Sequence, residues 1–208
     1  MAGKFFRCYA KVSICILFVG LALSKKFIFM RLFLLFSTLI LNTQVIAQDF
    51  KSKNTKATLI ELYTSQGCSS CPPAEKWLNQ LTANKNLWQD LVPLAFHVDY
   101  WDYLGWHDVY ARSEYSKRQR DYYTQGKTTA VYTPGFVLNG KQWTAWRFLS
   151  SIPSGSSDAG IIKANLTNNK IQAEYSKPQK NLQLNVALLG FGIKTKIHRG
   201  ENAGTNLP

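Results

Sequence analysis

Two cysteines separated by two serines, Cys68-Ser69-Ser70-Cys71, stand where one sequence pattern stops and another starts. Upstream, "ATLIELYT" (57–64) is an apolar, β-favouring run that ends at Ser65-Gln66-Gly67. Downstream, Ala74, Trp77, Leu78 and Leu81 recur at the spacing of one face of a helix. Pro72 and Pro73 suit the first turn of that helix, where an N–H would lack an intrahelical partner anyway. The pattern therefore predicts a cysteine pair at the junction of a strand and a helix N-terminus, within an α/β fold.

The rest of the chain extends this alternation and then leaves it. "LVPLAFHV" (91–98) reads as a second strand, apolar on both faces and so expected inside a parallel sheet. An aromatic loop, "DYWDYLGWHD" (99–108), precedes a polar segment of helical character over about 109–124. Thr133-Pro134 leads into the strand "GFVLNG", and Asn139-Gly140 predicts a hairpin into a strand starting at Lys141. A short helix is expected around 144–151, before "PSGSS" (153–157). Beyond it, "KIQAEY" (170–175), "LQLNVALL" (182–189) and "GIKTKIH" (192–198) alternate with period two. They predict an antiparallel meander, a β appendage over 158–208 following an α/β domain over 57–152.

The first 47 residues have a different character. They carry six basic residues and no acid, with apolar blocks at 12–23 and 32–41. The second block follows Met30-Arg31, and Val45 and Ala47 stand at the −3 and −1 positions of a cut. This is the pattern of a secretory signal peptide ending at Ala47, with Met30 an alternative true start. Neither block reaches the roughly 18 apolar residues a membrane span needs, so the membrane enters only if the leader stays uncleaved as an anchor. A periplasmic or secreted location is expected.

Without the leader the chain has 19 basic and 12 acidic residues, a net charge of +7 against +13 for the whole. That charge is scattered, and the densest run, "RSEYSKRQR" (112–120), reads as the solvated face of a helix. Nucleic-acid binding asks for clustered charge and a reading element, and neither is visible. Cys8 and Cys15 depart with the leader, which leaves Cys68 and Cys71 as the thiols of the mature chain.

A cysteine at a helix N-terminus is favoured as thiolate by the dipole and the unpaired N–H groups. Thiolate is the species that attacks a disulfide, and a second cysteine one turn on can resolve the mixed disulfide. Cys68 is thus the expected exposed nucleophile and Cys71 the resolving thiol. A purely structural disulfide would close a very small loop and stabilise weakly. A zinc site would need further ligands, and only His97, His107 and His198 are on hand, without a second ligand pair at finger spacing. Cu(I) held by Cys68, Cys71 and His97 is the alternative chemistry, and an inert disulfide in a binding scaffold is another. His97 and Asp99 end the second strand, where open α/β sheets build sites. His97 is either a proton shuttle there or a core histidine. Trp101, Tyr103 and Trp106 either form a recognition surface or pack their loop down.

The order strand, Cys-X-X-Cys, helix, strand, helix, Thr-Pro, strand resembles the thioredoxin superfamily. More narrowly, "ELYTSQGCSSCPPAE", "FHVDYWDYLGW", "YTPGFVLNG" and "RGENAG" together resemble the DUF1223 family of exported thioredoxin-like proteins, from about Leu59 onward. The resemblance implies a thioredoxin-like fold, a Cys68–Cys71 disulfide in the oxidised form, and a substrate groove shaped by Thr133 and a cis Pro134. It implies a thiol–disulfide oxidoreductase acting on a protein thiol or disulfide partner, with no organic cofactor. Thioredoxins carry a buried acid six residues before the first cysteine. Leu62 holds that position here, and Glu61, one residue earlier, is the candidate for proton transfer alongside His97.

Overall fold

A computed structural model describes residues 48–147, 152, 158–177 and 179–207. The leader with its cut at Ala47, the "PSGSS" break and half of the helix expected near 144–151 lie outside the described residues; of that helix a 3₁₀ turn, Ala145–Arg147, is seen. The described residues divide between two compact units, one lying within Met1–Lys51 and Lys163–Glu174, the other within Ser52–Ile162 and Tyr175–Pro208.

The first unit is built on strand β1 (Gln48–Lys51), which no pattern in the sequence announced. In the other unit the strands β2 (Thr58–Thr64), β3 (Leu91–His97), β4 (Gly135–Leu138) and β5 (Lys141–Gln142) form a sheet of order β3-β2-β4-β5. Strand β2 runs parallel to β3 and antiparallel to β4. The β4–β5 hairpin turns at Asn139-Gly140, both at positive φ as a tight hairpin turn demands.

Helix α1 (Pro72–Gln80) covers one face of β2 and α2 (Ser113–Thr124) lies toward the other. Strand side chains alternate between faces, and β2 shows the consequence. Ile60 and Leu62 pack with Ala74 and Leu78 of α1, together with Phe136, Trp143 and Trp146. Tyr63 packs with Val98, Val137, Phe96 and Tyr122 on the other face. Trp77 sets its ring edge-on to Phe136 and Trp143, at 5.3 and 5.4 Å between centroids.

Strand β3 differs from the expectation of full burial. It is an edge strand, mostly half-buried with Ala95 exposed, and Pro93 within it fits an edge because it has no N–H to give a neighbour. Its apolar run matches a strand parallel to β2 but did not distinguish an edge from a centre.

The C-terminal meander is also corrected. β6 (Ile162–Thr167) and β7 (Lys170–Tyr175) pair, and β6 pairs antiparallel with β1. Their turn, Asn168-Asn169, has positive φ at both residues. No strand forms over 182–189, where Leu182, Leu184, Val186 and Leu188 are exposed. Of the 192–198 run only β8 (Thr195–Lys196) forms, pairing with β9 (Asn206–Leu207). Alternation sets which side chains share a face, but it does not supply the neighbouring strand whose hydrogen bonds make a sheet.

Candidate functional site

The chain leaves β2 at Thr64 and turns tightly into the cysteines. The Cys68 N–H donates to the Ser65 carbonyl, the Cys71 N–H to the Cys68 carbonyl, and the Ala74 and Glu75 N–H groups to the Cys71 carbonyl. Cys71 is therefore the N-cap of α1, with Pro72 and Pro73 in the first turn as expected. Cys68 and Cys71 are joined in a disulfide with Cα atoms 5.4 Å apart. Both residues are fully buried, so the expected exposure of Cys68 does not hold in this state; Ser69 and Ser70 between them are exposed.

The cysteine loop is held by a distant segment. Asn202 Nδ2 donates to the carbonyls of Gln66 and Cys68, each at 2.9 Å, and the Glu201 carboxylate accepts the Ser69 N–H at 3.1 Å. Hydrogen bonding from Ser69, through its side chain first and its backbone N–H second, holds the Glu201 carboxyl below the usual carboxylate range. Asn202 is buried, and the β8–β9 pairing that flanks it buries Ile197 and Leu207. The "RGENAG" motif is thus a backbone clamp on the cysteines.

Thr133–Pro134 is a cis peptide immediately before β4. The last β2–β4 pair is Tyr63 with Gly135, which sets Thr133–Pro134 at the end of β2 where the cysteine loop begins. Trp101 links the two, donating from Nε1 to Thr133 Oγ1 at 2.7 Å, while a Cβ added at Gly67 would lie 3.3 Å from its own Cβ. Trp106 donates to Gln66 Oε1 at 3.0 Å. Two rings of the aromatic loop are therefore spent on packing around the site, and Tyr103 is the exposed one, at 81%.

The two candidates for proton transfer separate. His97 is paired in register with Thr64 and points Nδ1 at Asp108 Oδ2, 2.7 Å away. Asp108 is fully buried and also accepts the N–H groups of Gln66 and Tyr110. Burial alone would raise its carboxyl, but the His97 hydrogen bond and charge, with those two amides, bring it below the ordinary range. Glu61 lies on the other face of β2. Its Oε1 takes two donors from Arg118, at 2.8 and 2.5 Å, and its Oε2 accepts the Tyr122 hydroxyl at 2.6 Å. The structure thus groups Cys68, Cys71, Thr133, Pro134 and His97 at one end of the sheet and sets Glu61 apart from them.

Glu75 was not singled out in the sequence. It follows Cys71 by four residues on α1, is buried, and accepts the Thr64 hydroxyl on Oε1 at 2.6 Å. Its Oε2 has no hydrogen-bond partner among the described residues. Burial drives its carboxyl above the usual range; Asp108 adds to that, while Thr64 and His97 oppose it. The spacing in "CPPAE" was the available signal, since residues four apart share a helix face. Among the described residues no three His, Cys, Asp or Glu side chains are grouped as a metal site, so Cys68, Cys71 and His97 are not assembled as a ligand set.

A family profile described as "Protein of unknown function (DUF1223)" matches residues 59–208. The chain belongs to the DUF1223 family. Among solved structures, this DUF1223 chain is similar to a structural-genomics crystal structure of a protein from Agrobacterium tumefaciens. The two are 40% identical over 46% of this chain and 41% of that one, with a TM-score of 0.39. The matched stretch therefore spans less than half of that protein's length. No curated protein matches.

Proposed function

We propose that the chain is a thiol–disulfide oxidoreductase with a thioredoxin-like domain, acting outside the cytoplasm on a protein thiol or disulfide partner. The observation that carries this reading is a Cys-X-X-Cys disulfide at the N-terminus of a helix, at the same sheet end as Thr133–Pro134. In the reduced form the Cys68 thiolate attacks a substrate disulfide, and one substrate sulfur leaves as thiolate. Cys71 then attacks Cys68 Sγ, the mixed disulfide breaks, and the second substrate thiolate departs. The substrate disulfide is reduced to two thiols and the cysteine pair is oxidised. Thr133 and Pro134 border the groove in which the partner chain lies. Both cysteines are buried, and the Asn202 bonds to the Gln66 and Cys68 carbonyls hold their loop in that closed position.

Equilibration of the full chain with glutathione buffers tests the reading. A reversible couple is expected, near about −270 mV for a reductant or about −120 mV for an oxidant. Cys68→Ser should abolish turnover, and Cys71→Ser should trap the mixed disulfide. Absence of any reversible couple would reject exchange.

A further inference from the structure

Buried carboxyl oxygens without a partner are costly, because their lost hydration is not replaced. Glu75 keeps one, Oε2, in the interior of the cysteine-bearing face. A purely structural role does not account for it, since an apolar or amide side chain would fill the same place at lower cost. The fold does satisfy its acids elsewhere: Glu61 has three donors and Asp108 has three.

The position of Glu75 says what the oxygen is near. Its N–H closes the first helical turn onto the Cys71 carbonyl. Helical side chains lean toward the helix N-terminus, so Glu75 lies over the turn that Cys71 begins. Its other oxygen is fixed by Thr64, the last residue of β2 before the cysteine loop. Thr64 is in register with His97, and the charges of both His97 and Asp108 are felt at the Glu75 carboxyl.

Resting on the exchange reading, we infer that Glu75 takes the proton from Cys71 in the resolving step and returns it when the disulfide is opened, with Thr64 as its positioning group. In the forward direction the Cys71 S–H proton passes to the Glu75 carboxylate. The Cys71 thiolate attacks Cys68 Sγ, a new S–S bond forms, and the electron pair of the broken bond leaves with the substrate thiolate. Glu75 ends as the neutral acid, the form its buried site favours. Reduction runs the same steps backward: Cys71 leaves as thiolate and collects the Glu75 proton. The arrangement leaves the attacking sulfur to the helix N-terminus and gives the resolving sulfur its own acid.

The test uses the reduced full chain, oxidised glutathione as the probe, and Glu75→Gln, which keeps shape and loses the proton site. Formation of the Cys68–glutathione adduct and its resolution are followed separately by quenched mass measurement across pH 5–9. Adduct formation should keep its wild-type rate. Resolution should slow by about 10²-fold in the pH window where Glu75 is ionised and Cys71 is not, in the range of general acid–base catalysis, and rejoin wild type once Cys71 ionises unaided. Wild-type resolution with an unchanged pH profile in the variant overturns the inference and leaves exchange standing. A wild-type chain that never forms the adduct rejects exchange, and the inference falls with it. Should the variant not fold, carbon-13 titration of Glu75 in the wild type decides: a midpoint that moves between disulfide and dithiol forms supports the proton hand-over, and an identical midpoint overturns it.

Discussion

Strand β2 has a buried acid on each side, and the two are treated in opposite ways. Glu61 faces α2 and is enclosed by Arg118 and Tyr122, so both its oxygens are occupied. Glu75 reaches the opposite face from α1, with one oxygen on Thr64 and the other bare. One face spends its charge on holding strand to helix. The other keeps a carboxyl unsatisfied next to the cysteines, at a cost in stability. The hydroxyls of Tyr63 and Thr128 also lack a partner among the described residues, so it is the bare carboxyl beside the cysteines, rather than a bare atom as such, that marks a place where function overrides stability.

The largest expected effect breaks the satisfied side. Arg118→Met strands the Glu61 carboxylate inside the sheet with only the Tyr122 hydroxyl. Removing one member of a buried pair costs roughly 3–5 kcal/mol. The low end, about 3 kcal/mol, is expected because Arg118 itself is 45% exposed and screened by water. Urea unfolding measures it. A loss under about 1 kcal/mol would mean that Glu61 is not held by this pair, and the contrast between the two acids would weaken.

Next comes the clamp that closes the cysteine side. Asn202→Ala removes two hydrogen bonds and leaves the Gln66 and Cys68 carbonyls without that donor. A loss of about 2 kcal/mol follows at roughly 1 kcal/mol per bond. The disulfide should also be reduced faster by dithiothreitol, since a contact that holds the loop closed is already gone. Lower stability with an unchanged reduction rate would show that the clamp does not limit access.

Tyr122→Phe sharpens the comparison by leaving Glu61 Oε2 as bare as Glu75 Oε2. One lost hydrogen bond to a charged group predicts about 1.5 kcal/mol by thermal unfolding. If Glu61 tolerates the change at no cost, a bare oxygen is cheap in this sheet and the singularity of Glu75 is lost.

Much of this arrangement was legible because its signals are local. The strand–cysteine–helix junction follows from an apolar run, a helical repeat and two prolines. The hairpin follows from Asn139-Gly140. The long-range parts were not legible. Pairing of β1 with β6 joins residues such as Gln48 and Leu166, and no periodicity encodes such a partner. The alternation of Leu182, Leu184, Val186 and Leu188 was visible, but a strand needs a neighbour and none is supplied there. At the site, Glu61 drew attention by its distance from Cys68 along the chain. Alternation along β2 sends it to the other face, a consequence of one residue of register. Glu75 was masked by an ordinary helical context, in which an acid near an N-terminus usually faces water and the dipole. Asn202 and Glu201 lie in the "RGENAG" motif, yet their partners are more than a hundred positions away in the chain.

The smallest effect is a change of slope rather than of level, and it separates the acids of the cysteine face by sign. Folding raises the Glu75 carboxyl above its unfolded value near 4.5, so the native state holds a proton there that the unfolded chain releases. That contribution to stability is full below about pH 4.5 and fades as pH rises through the folded value. Asp108 behaves the other way: its carboxyl is lowered from 3.8, so its contribution is full above that pH and is lost as pH falls. Glu75→Gln should therefore flatten the decline of stability on the alkaline side of pH 4.5 and leave the acid limb in place. Asp108→Asn should do the reverse, flattening the loss below about pH 4. Urea midpoints at half-unit steps between pH 3 and 8 read both slopes on the same chain. If both variants flatten the same limb, the two carboxyls share one titration, and Glu75 does not hold its proton independently of the His97–Asp108 pair.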